Sequence, residues 1–226
     1  MAKVVQAWQN DLTLFQNDLA YTPNNARTHF NLGRYYIINT DQMANQQQAI
    51  ERGVALLRQA VGIDPRFTNA HQLLAAGYDQ LGQTGRAITH LRKYTRLAQR
   101  GNKHPVKVAQ AFRDLGDLYH RKGKTDSMQT AYQQAINIAP DQFQNYFNYG
   151  NKLFNQGLYE EAVQQYQKAL QINPDSYDCY YNIAAAQVNL GRHKKAGQNL
   201  QQALKLRPGD EQAKQLLNRI GGRGGN

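Results

Sequence analysis

The sequence predicts an all-α fold, an array of antiparallel helix pairs, and three observations carry that expectation. A 34-residue period runs through its C-terminal half: Gly116, Gly150 and Ala184 share one phase, as do Pro140, Pro174 and Pro208, and Ala135, Ala169 and Ala203, and Tyr132, Tyr166 and Leu200. Repeats of this length are single supersecondary units that bury their apolar faces only by stacking. Within one period, Tyr146, Tyr149, Gly150 and Leu153 recur at three- and four-residue spacing, and Ala162, Tyr166, Ala169 and Leu170 do so again. Each set is one face of a helix. Gly157 lies between the two sets as a stop, and Pro174 follows the second, so each unit reads helix, turn, helix, break.

The elements follow in order. Residues 1–22 read as a lone N-terminal helix running up to Pro23, equivalent to the second half of a repeat. Residues 26–67 form a first repeat through Leu32, Gly33, Tyr36, Leu57, Ala60 and Pro65, with an insertion near NTDQMAN. Residues 68–101 form a second through Leu74, Ala75, Tyr78, Gly82, Ala87 and Leu91, with Tyr94 at a position that is small elsewhere. Residues 102–108, around GNKHP, are expected as an inserted loop. Repeats three to five span 109–142, 143–176 and 177–209; the third carries Met128 where the second, fourth and fifth carry Ala87, Ala162 and Ala196, and the fifth carries polar Gln187 where the first three carry Tyr36, Tyr78 and Tyr119. Asp175, just after Pro174, is the expected N-cap of the helix that follows. Residues 210–220 read as a polar capping helix and 221–226, GGRGGN, as a flexible tail. Gly150 and Ala162 are small where paired helices must approach closely.

This pattern resembles the tetratricopeptide (TPR) repeat, over nearly the whole chain. In the fourth repeat the matching residues are Tyr146, Tyr149, Gly150, Leu153, Gly157, Tyr159, Ala162, Tyr166, Ala169 and Pro174. The resemblance implies a right-handed solenoid of antiparallel helix pairs with a concave and a convex face. It also implies a binding surface rather than a central pocket, since fold alone does not name a function.

Composition narrows the function classes. Charged residues are 19% of the 226-residue chain, while Asn and Gln together number 49, so the polar faces are mostly amide. Mean hydropathy is −0.75 and no apolar run approaches the length of a membrane span. MAKVVQAW has no signal-peptide h-region. One cysteine excludes an internal disulfide and a cysteine metal cage. The formal net charge is +11, and between Arg86 and Lys124 eleven Lys or Arg stand against two acids, Asp114 and Asp117. Arg92, Lys93, Arg96, Arg100, Lys103 and Lys107 form the expected basic patch. It is either a solvated helix face and loop or a surface for nucleic acid or another polyanion.

Nothing in the sequence points to catalysis. It lacks a GxGxxG, P-loop, HExxH or GxSxG motif. His29 and His71 fall at aromatic core positions and read as packed structural histidines; Glu160 and Glu161 open a helix, where acids complement the dipole; Cys179 reads as a buried, inert thiol. The expected protein is therefore not an enzyme and holds no cofactor and no metal.

What remains is the face of each first helix that turns away from its partner helix, which the TPR resemblance implies lines the groove. It carries Phe30, Asn31 and Arg34 in the first repeat and Arg113 in the third. The fourth repeat contributes Phe147, Asn148, Asn151 and Phe154, and the fifth Tyr181 and Asn182. Asn31, Asn148 and Asn182 occupy one repeat position. A primary amide both donates and accepts, so these residues either pair with the main chain of an extended ligand, as Asn does here in peptide-binding family members, or are merely common at the position. Phe147, Phe154 and Tyr181 beside them are either a contact patch or packing against neighbouring segments. The two-carboxylate clamp of chaperone-binding members is not matched, because Asp178 and Asn182 stand where cations are required.

The stretch AWQNDLTLFQNDLAYTPNNARTHFNLG is also similar to the junction after the last membrane span of multi-pass glycosyltransferases of the O-mannosyltransferase type, through Asn25, Ala26, His29, Asn31, Leu32 and Gly33. That resemblance implies an extracytoplasmic, substrate-recruiting domain tethered to a membrane enzyme. The expected function is a protein-interaction scaffold that binds an extended peptide or protein segment, with this accessory role and polyanion binding through 86–124 as alternatives. Partner identity, compartment and oligomeric state are not legible.

Overall fold

The computed structural model describes the backbone of residues 2–101 and 104–221 and the side chains from residue 11 onward. The described residues are all-α, with twelve α-helices and one short 3-10 turn. They divide into two compact units, Met1–Lys103 and His104–Asn226. The expected tail from 222 onward, Lys103 and the side chain of Trp8 lie outside the described residues.

The first unit contains α1 (Ala2–Tyr21), α2 (Ala26–Ile38), α3 (Gln46–Ile63), α4 (Thr68–Gln80) and α5 (Thr84–Arg100). Helices α2 and α3 pair, as do α4 and α5. Leu12, Phe15 and Leu19 of α1 pack on Leu32 and Tyr36 of α2. The insertion near NTDQMAN is anchored. It turns through 3-10 residues Thr40–Gln42, where buried Thr40 donates its hydroxyl to the carbonyls of Tyr36 and Ile37, and Asn39 donates to Tyr35 O. Helices α2 and α3 cross at Gly33 and Gly53, where a Cβ on either residue would meet the other's carbonyl at 3.0 Å.

The second unit contains α6 (Pro105–Arg121), α7 (Thr125–Ile138), α8 (Phe143–Asn155), α9 (Tyr159–Ile172), α10 (Tyr177–Asn189), α11 (His193–Leu206) and α12 (Glu211–Gly221). Pairs α6/α7, α8/α9 and α10/α11 are closed by Gly123, Gly157 and Gly191, with φ of +65°, +77° and +70°, a left-handed backbone that only glycine adopts without cost. Two boundary expectations are corrected. The inserted loop at 102–108 is shorter, because Pro105 opens α6 at a position where its missing N–H and fixed φ suit a helix start. The N-cap of α10 is Ser176 and not Asp175: the Ser176 hydroxyl accepts from the Cys179 N–H at 3.3 Å.

The 34-residue period has a packing cause. A Cβ on Gly116 would lie 2.5 Å from the Tyr132 ring, and one on Gly150 would lie 2.7 Å from the Tyr166 ring. Each second-helix tyrosine thus fills the space vacated by a first-helix glycine, and both rings are buried. Where the second helix carries Leu200 instead, the first carries Ala184, and both are fully buried. Gln187, at a position that is Tyr119 in the third repeat and Leu153 in the fourth, is buried, and its Oε1 accepts from Asn199 Nδ2 at 3.0 Å. Gly150→Ala should therefore destabilise the protein by about 1–3 kcal/mol through overpacking. Adding Tyr166→Leu, which reproduces the Ala184/Leu200 pair, should recover part of that loss in chemical denaturation. An unperturbed Gly150→Ala midpoint would show that the ring does not need the space.

Candidate functional site

The first helices of the second unit, α6, α8 and α10, are linked by polar side chains along one face. The second-helix tyrosines start the links. Tyr132 donates its hydroxyl to Asp117 Oδ1 at 2.6 Å, and Lys152 Nζ meets the same oxygen at 2.9 Å. One repeat on, Tyr166 donates to Asn151 Oδ1 at 2.7 Å, and Asn182 Nδ2 donates to that oxygen at 3.1 Å. Both tyrosines stay neutral: burial, with Asp117 adding to it for Tyr132, raises their pKa above the ordinary phenol value. Asp117 and Asn151 thus stand at one repeat position and each joins a tyrosine below to the next first helix. The Asp117–Lys152 pair is a quarter to a third exposed, so its use is orientation more than stability.

A third link was not visible in the sequence. Asn145 is fully buried. Its Nδ2 donates to Ala135 O at 3.0 Å and Ala139 O at 2.6 Å, and its Oδ1 accepts from Arg113 Nη1 at 2.6 Å. The amide adds a second donor to two carbonyls at the C-terminal end of α7, which already accept from Ala139 N–H and Gln142 N–H, and holds Arg113, so Arg113 is engaged within the fold.

The remaining expected groove residues separate into two groups. Phe147, Asn148, Asn151, Tyr181 and Asn182 come together on α8 and α10, all half-buried. Phe147 stacks on Phe143 at 5.3 Å between ring centroids, and Tyr181 on Tyr177 at 6.0 Å. Phe154 meets Tyr159 edge-on at 5.3 Å. The amide of Asn148 has no partner among the described residues. Phe30, Asn31 and Arg34 belong to the first unit. There Phe30 packs on Phe67 at 4.7 Å, while Asn31 and Arg34 line a cleft of about 370 Å³ between α1 and α2, with Asp11, Phe15, Tyr35, Ile38 and Asn39.

Sequence reasoning also missed a cleft of about 500 Å³ between α10 and α12. Tyr181, Ala185, Val188 and Asn189 form one wall, and Gln212, Gln215, Leu216 and Arg219 the other. The signal was present in the spacing of Gln212, Gln215 and Arg219, which falls on one helical face.

Of the basic patch, Arg92, Arg96 and Arg100 are exposed along α5 and Lys93 is half-buried there, whereas Lys107 is exposed on α6 of the other unit. His29 and His71 are buried. Among the described residues no group of His, Cys, Asp and Glu could hold a metal ion, and no helix is long and apolar enough to cross a membrane. Cys179 is fully buried, and burial pushes its thiol up to about 11, which leaves it protonated and unreactive at neutral pH.

Family models for the tetratricopeptide repeat match residues 109–142, 131–164 and 177–210, and a TPR repeat model matches 150–191. Residues 109–210 are tetratricopeptide repeats. Solved structures of similar fold cover more of the chain than these models do. YrrB, whose crystal structure is described as that of a TPR protein with an unusual peptide-binding site, is 18% identical and superposes with a TM-score of 0.67 over 89% of this chain and 96% of its own. The MamA protein is 20% identical, with a TM-score of 0.62 over 77% of this chain and 91% of its own. MamA of Desulfovibrio magneticus RS-1, from its residue 41 to its end, is 14% identical, with a TM-score of 0.61 over 79% and 97%. At these identities the likeness is one of fold. No curated protein matches. The comparisons lend no support to the resemblance of the N-terminal stretch to an O-mannosyltransferase junction.

Asn145→Ala should remove three buried hydrogen bonds and release Arg113, while Ala135 O and Ala139 O keep their backbone donors. Each bond lost costs about 0.5–1.5 kcal/mol, so the variant should unfold at lower denaturant concentration while keeping its helical circular dichroism.

Proposed function

We propose that this TPR protein is a non-catalytic interaction scaffold, and that its second unit binds an extended peptide or protein segment along the face of α6, α8 and α10. One observation carries the reading. Asn148 presents a half-buried amide without a partner among the described residues, next in sequence to the half-buried ring of Phe147, whose counterpart one repeat on is Tyr181, and on the helix that carries Asn151 of the linked Asn151–Asn182 pair. An unsatisfied amide at the surface can pair with both the N–H and the C=O of a peptide group. The two rings offer rigid apolar area of the kind that dominates contact energies. Asp117 and Asn151, held by tyrosines from below, fix the neighbouring polar groups in advance and reduce what must be ordered on binding. A peptide-binding site in a solved TPR protein of the same fold, YrrB, is consistent with this use.

A main-chain reader of this kind accepts many sequences, which separates it from a charge clamp for one terminal carboxylate. Recruitment of a substrate segment beside a membrane glycosyltransferase would use the same face, and rests on the N-terminal resemblance alone. Binding of a polyanion would use α5, where Arg92, Arg96 and Arg100 are exposed.

Asn148→Ala is the clean test, because Asn182 is already engaged with Asn151. Loss of the amide should weaken binding of a peptide-library hit by about 0.5–1.5 kcal/mol, that is, several-fold, with thermal stability nearly unchanged. Normal binding by Asn148→Ala, together with loss in Lys93→Glu/Arg96→Glu, would move the site to α5 of the first unit and refute the assignment.

A further inference from the structure

The first unit holds a cationic pocket that the peptide-binding face does not use. It is a cleft of about 230 Å³ lined by Arg58 of α3, Tyr78 of α4, and Arg86, Thr89 and His90 of α5. No carboxylate lines it. At roughly 30 Å³ per water in the liquid, it has the room of several waters, ample for a tetrahedral oxyanion.

Two of its lining rings, Tyr78 and His90, face each other at 5.5 Å between centroids. His90 in turn meets His71, which lies outside the lining, at 5.3 Å between centroids. Hydrogen bonding fixes the tautomers. His71 Nε2 lies 3.1 Å from Pro65 O, which can only accept, so Nε2 carries the proton. Neutral His71 then has a bare Nδ1, 3.0 Å from His90 Nδ1, and His90 must donate there. Neutral His90 is left with a bare Nε2, an acceptor. The charged and titratable groups around His90 are Arg58 from α3, His71 and Tyr78 from α4, and Arg86 and Lys93 from α5. The nearest acid to act on this pair is Asp64, which acts on His71. Burial first, then His71, Lys93 and Arg58, push His90 down to about 4, so the ring stays neutral at physiological pH. Arg86 lies over the Tyr78 ring, 5.6 Å from its centroid, and spends one N–H on Gln83 Oε1 at 2.7 Å. Its guanidinium retains further donors.

An anion here meets two kinds of group: cations that attract any negative charge, and a ring nitrogen that accepts a proton donor and repels a bare oxygen. Sulfate and carboxylate at neutral pH offer acceptors alone. A phosphate monoanion carries both acceptor oxygens and a P–O–H. We propose that this pocket binds a phosphate-type oxyanion that still carries a P–O–H, inorganic phosphate or the monoanion of a phosphomonoester, with Arg58 and Arg86 neutralising its charge and its P–O–H donating to Nε2 of His90. The proton belongs to the ligand. A monoester loses it at its second ionisation, at roughly 6, so ester binding strengthens as pH falls through that window while His90 remains neutral, whereas inorganic phosphate keeps a P–O–H in its dianion and binds on both sides of its own second ionisation.

The experiment is a two-dimensional NMR titration of the full chain with sodium phosphate, with sodium sulfate as the matched control, at about pH 6 and about pH 8. Phosphate should shift the amides of Thr89 and His90 at both pH values, and sulfate should bind about tenfold more weakly than phosphate at the lower pH. Arg58→Gln/Arg86→Gln, both on exposed residues, should reduce phosphate affinity by about tenfold or more, as expected for losing charge-assisted hydrogen bonds. A parallel titration with glycerol 2-phosphate, which should bind several-fold more tightly at the lower pH because it loses its P–O–H at the higher, separates the two sources: at the lower pH, tighter binding than inorganic phosphate assigns a monoester and weaker binding assigns the free anion. Equal affinity for sulfate and phosphate at the lower pH, or shifts that avoid Thr89 and His90 and survive the double substitution, would overturn the proposal without touching the peptide-binding face.

Discussion

The second unit depends on the seating of a second-helix tyrosine ring in the gap left by a first-helix glycine. Tyr132 and Tyr166 fill space that a Cβ on Gly116 or Gly150 would occupy, and this sets how closely α6 approaches α7 and α8 approaches α9. The same rings reach through the helix pair. Their hydroxyls emerge on the outward side of the first helix, where Asp117 and Asn151 accept them. Close packing of the pair and orientation of its polar surface are thus one interaction. A buried hydroxyl without a partner would be costly, so the residue nine places into each of these repeats must be an acceptor. In the fifth repeat Leu200 has no hydroxyl to satisfy, and Ala185 stands there instead.

From that constraint the character of the surface follows. Each acceptor has capacity beyond its tyrosine and takes a second donor from the next first helix, Lys152 on Asp117 and Asn182 on Asn151. The links run along the face rather than across it, which aligns α6, α8 and α10. They leave Asn148 with nothing to bond to among the described residues, on a face whose rings Phe147 and Tyr181 are stacked and so pre-set. Stability and recognition use neighbouring positions of the same helices, and a substitution at Asn145 or Asn151 should be felt in the fold before it is felt in a ligand.

The helix pairs are legible in the sequence because glycine, alanine and tyrosine at fixed phase leave few alternatives for packing. The turn glycines are legible for the same reason, since a positive φ excludes most other residues. Polar side chains are harder. Asn145 and Asn148 are three residues apart and identical in type, yet one is buried with three hydrogen bonds and the other is half-exposed with none; only the stacking of the preceding repeat distinguishes them. Ser176 rather than Asp175 caps α10 because a one-residue difference in where the chain turns decides which side chain reaches the free N–H groups. The His71–His90 pair and the cleft between α10 and α12 join residues whose separations lie outside the 34-residue period, so no repeat pattern displays them.

The central claim is that the second unit reads peptide main chain on its first-helix face. The most direct test is a side-chain amide NMR map of the full chain titrated with a selected extended peptide. The account predicts that the Asn148 side-chain NH₂ resonances move most, with the aromatic signals of Phe147 and Tyr181, while those of Asn145, sealed in the core, follow only weakly. Shifts centred on α7, α9 and α11 with Asn148 unmoved would contradict it.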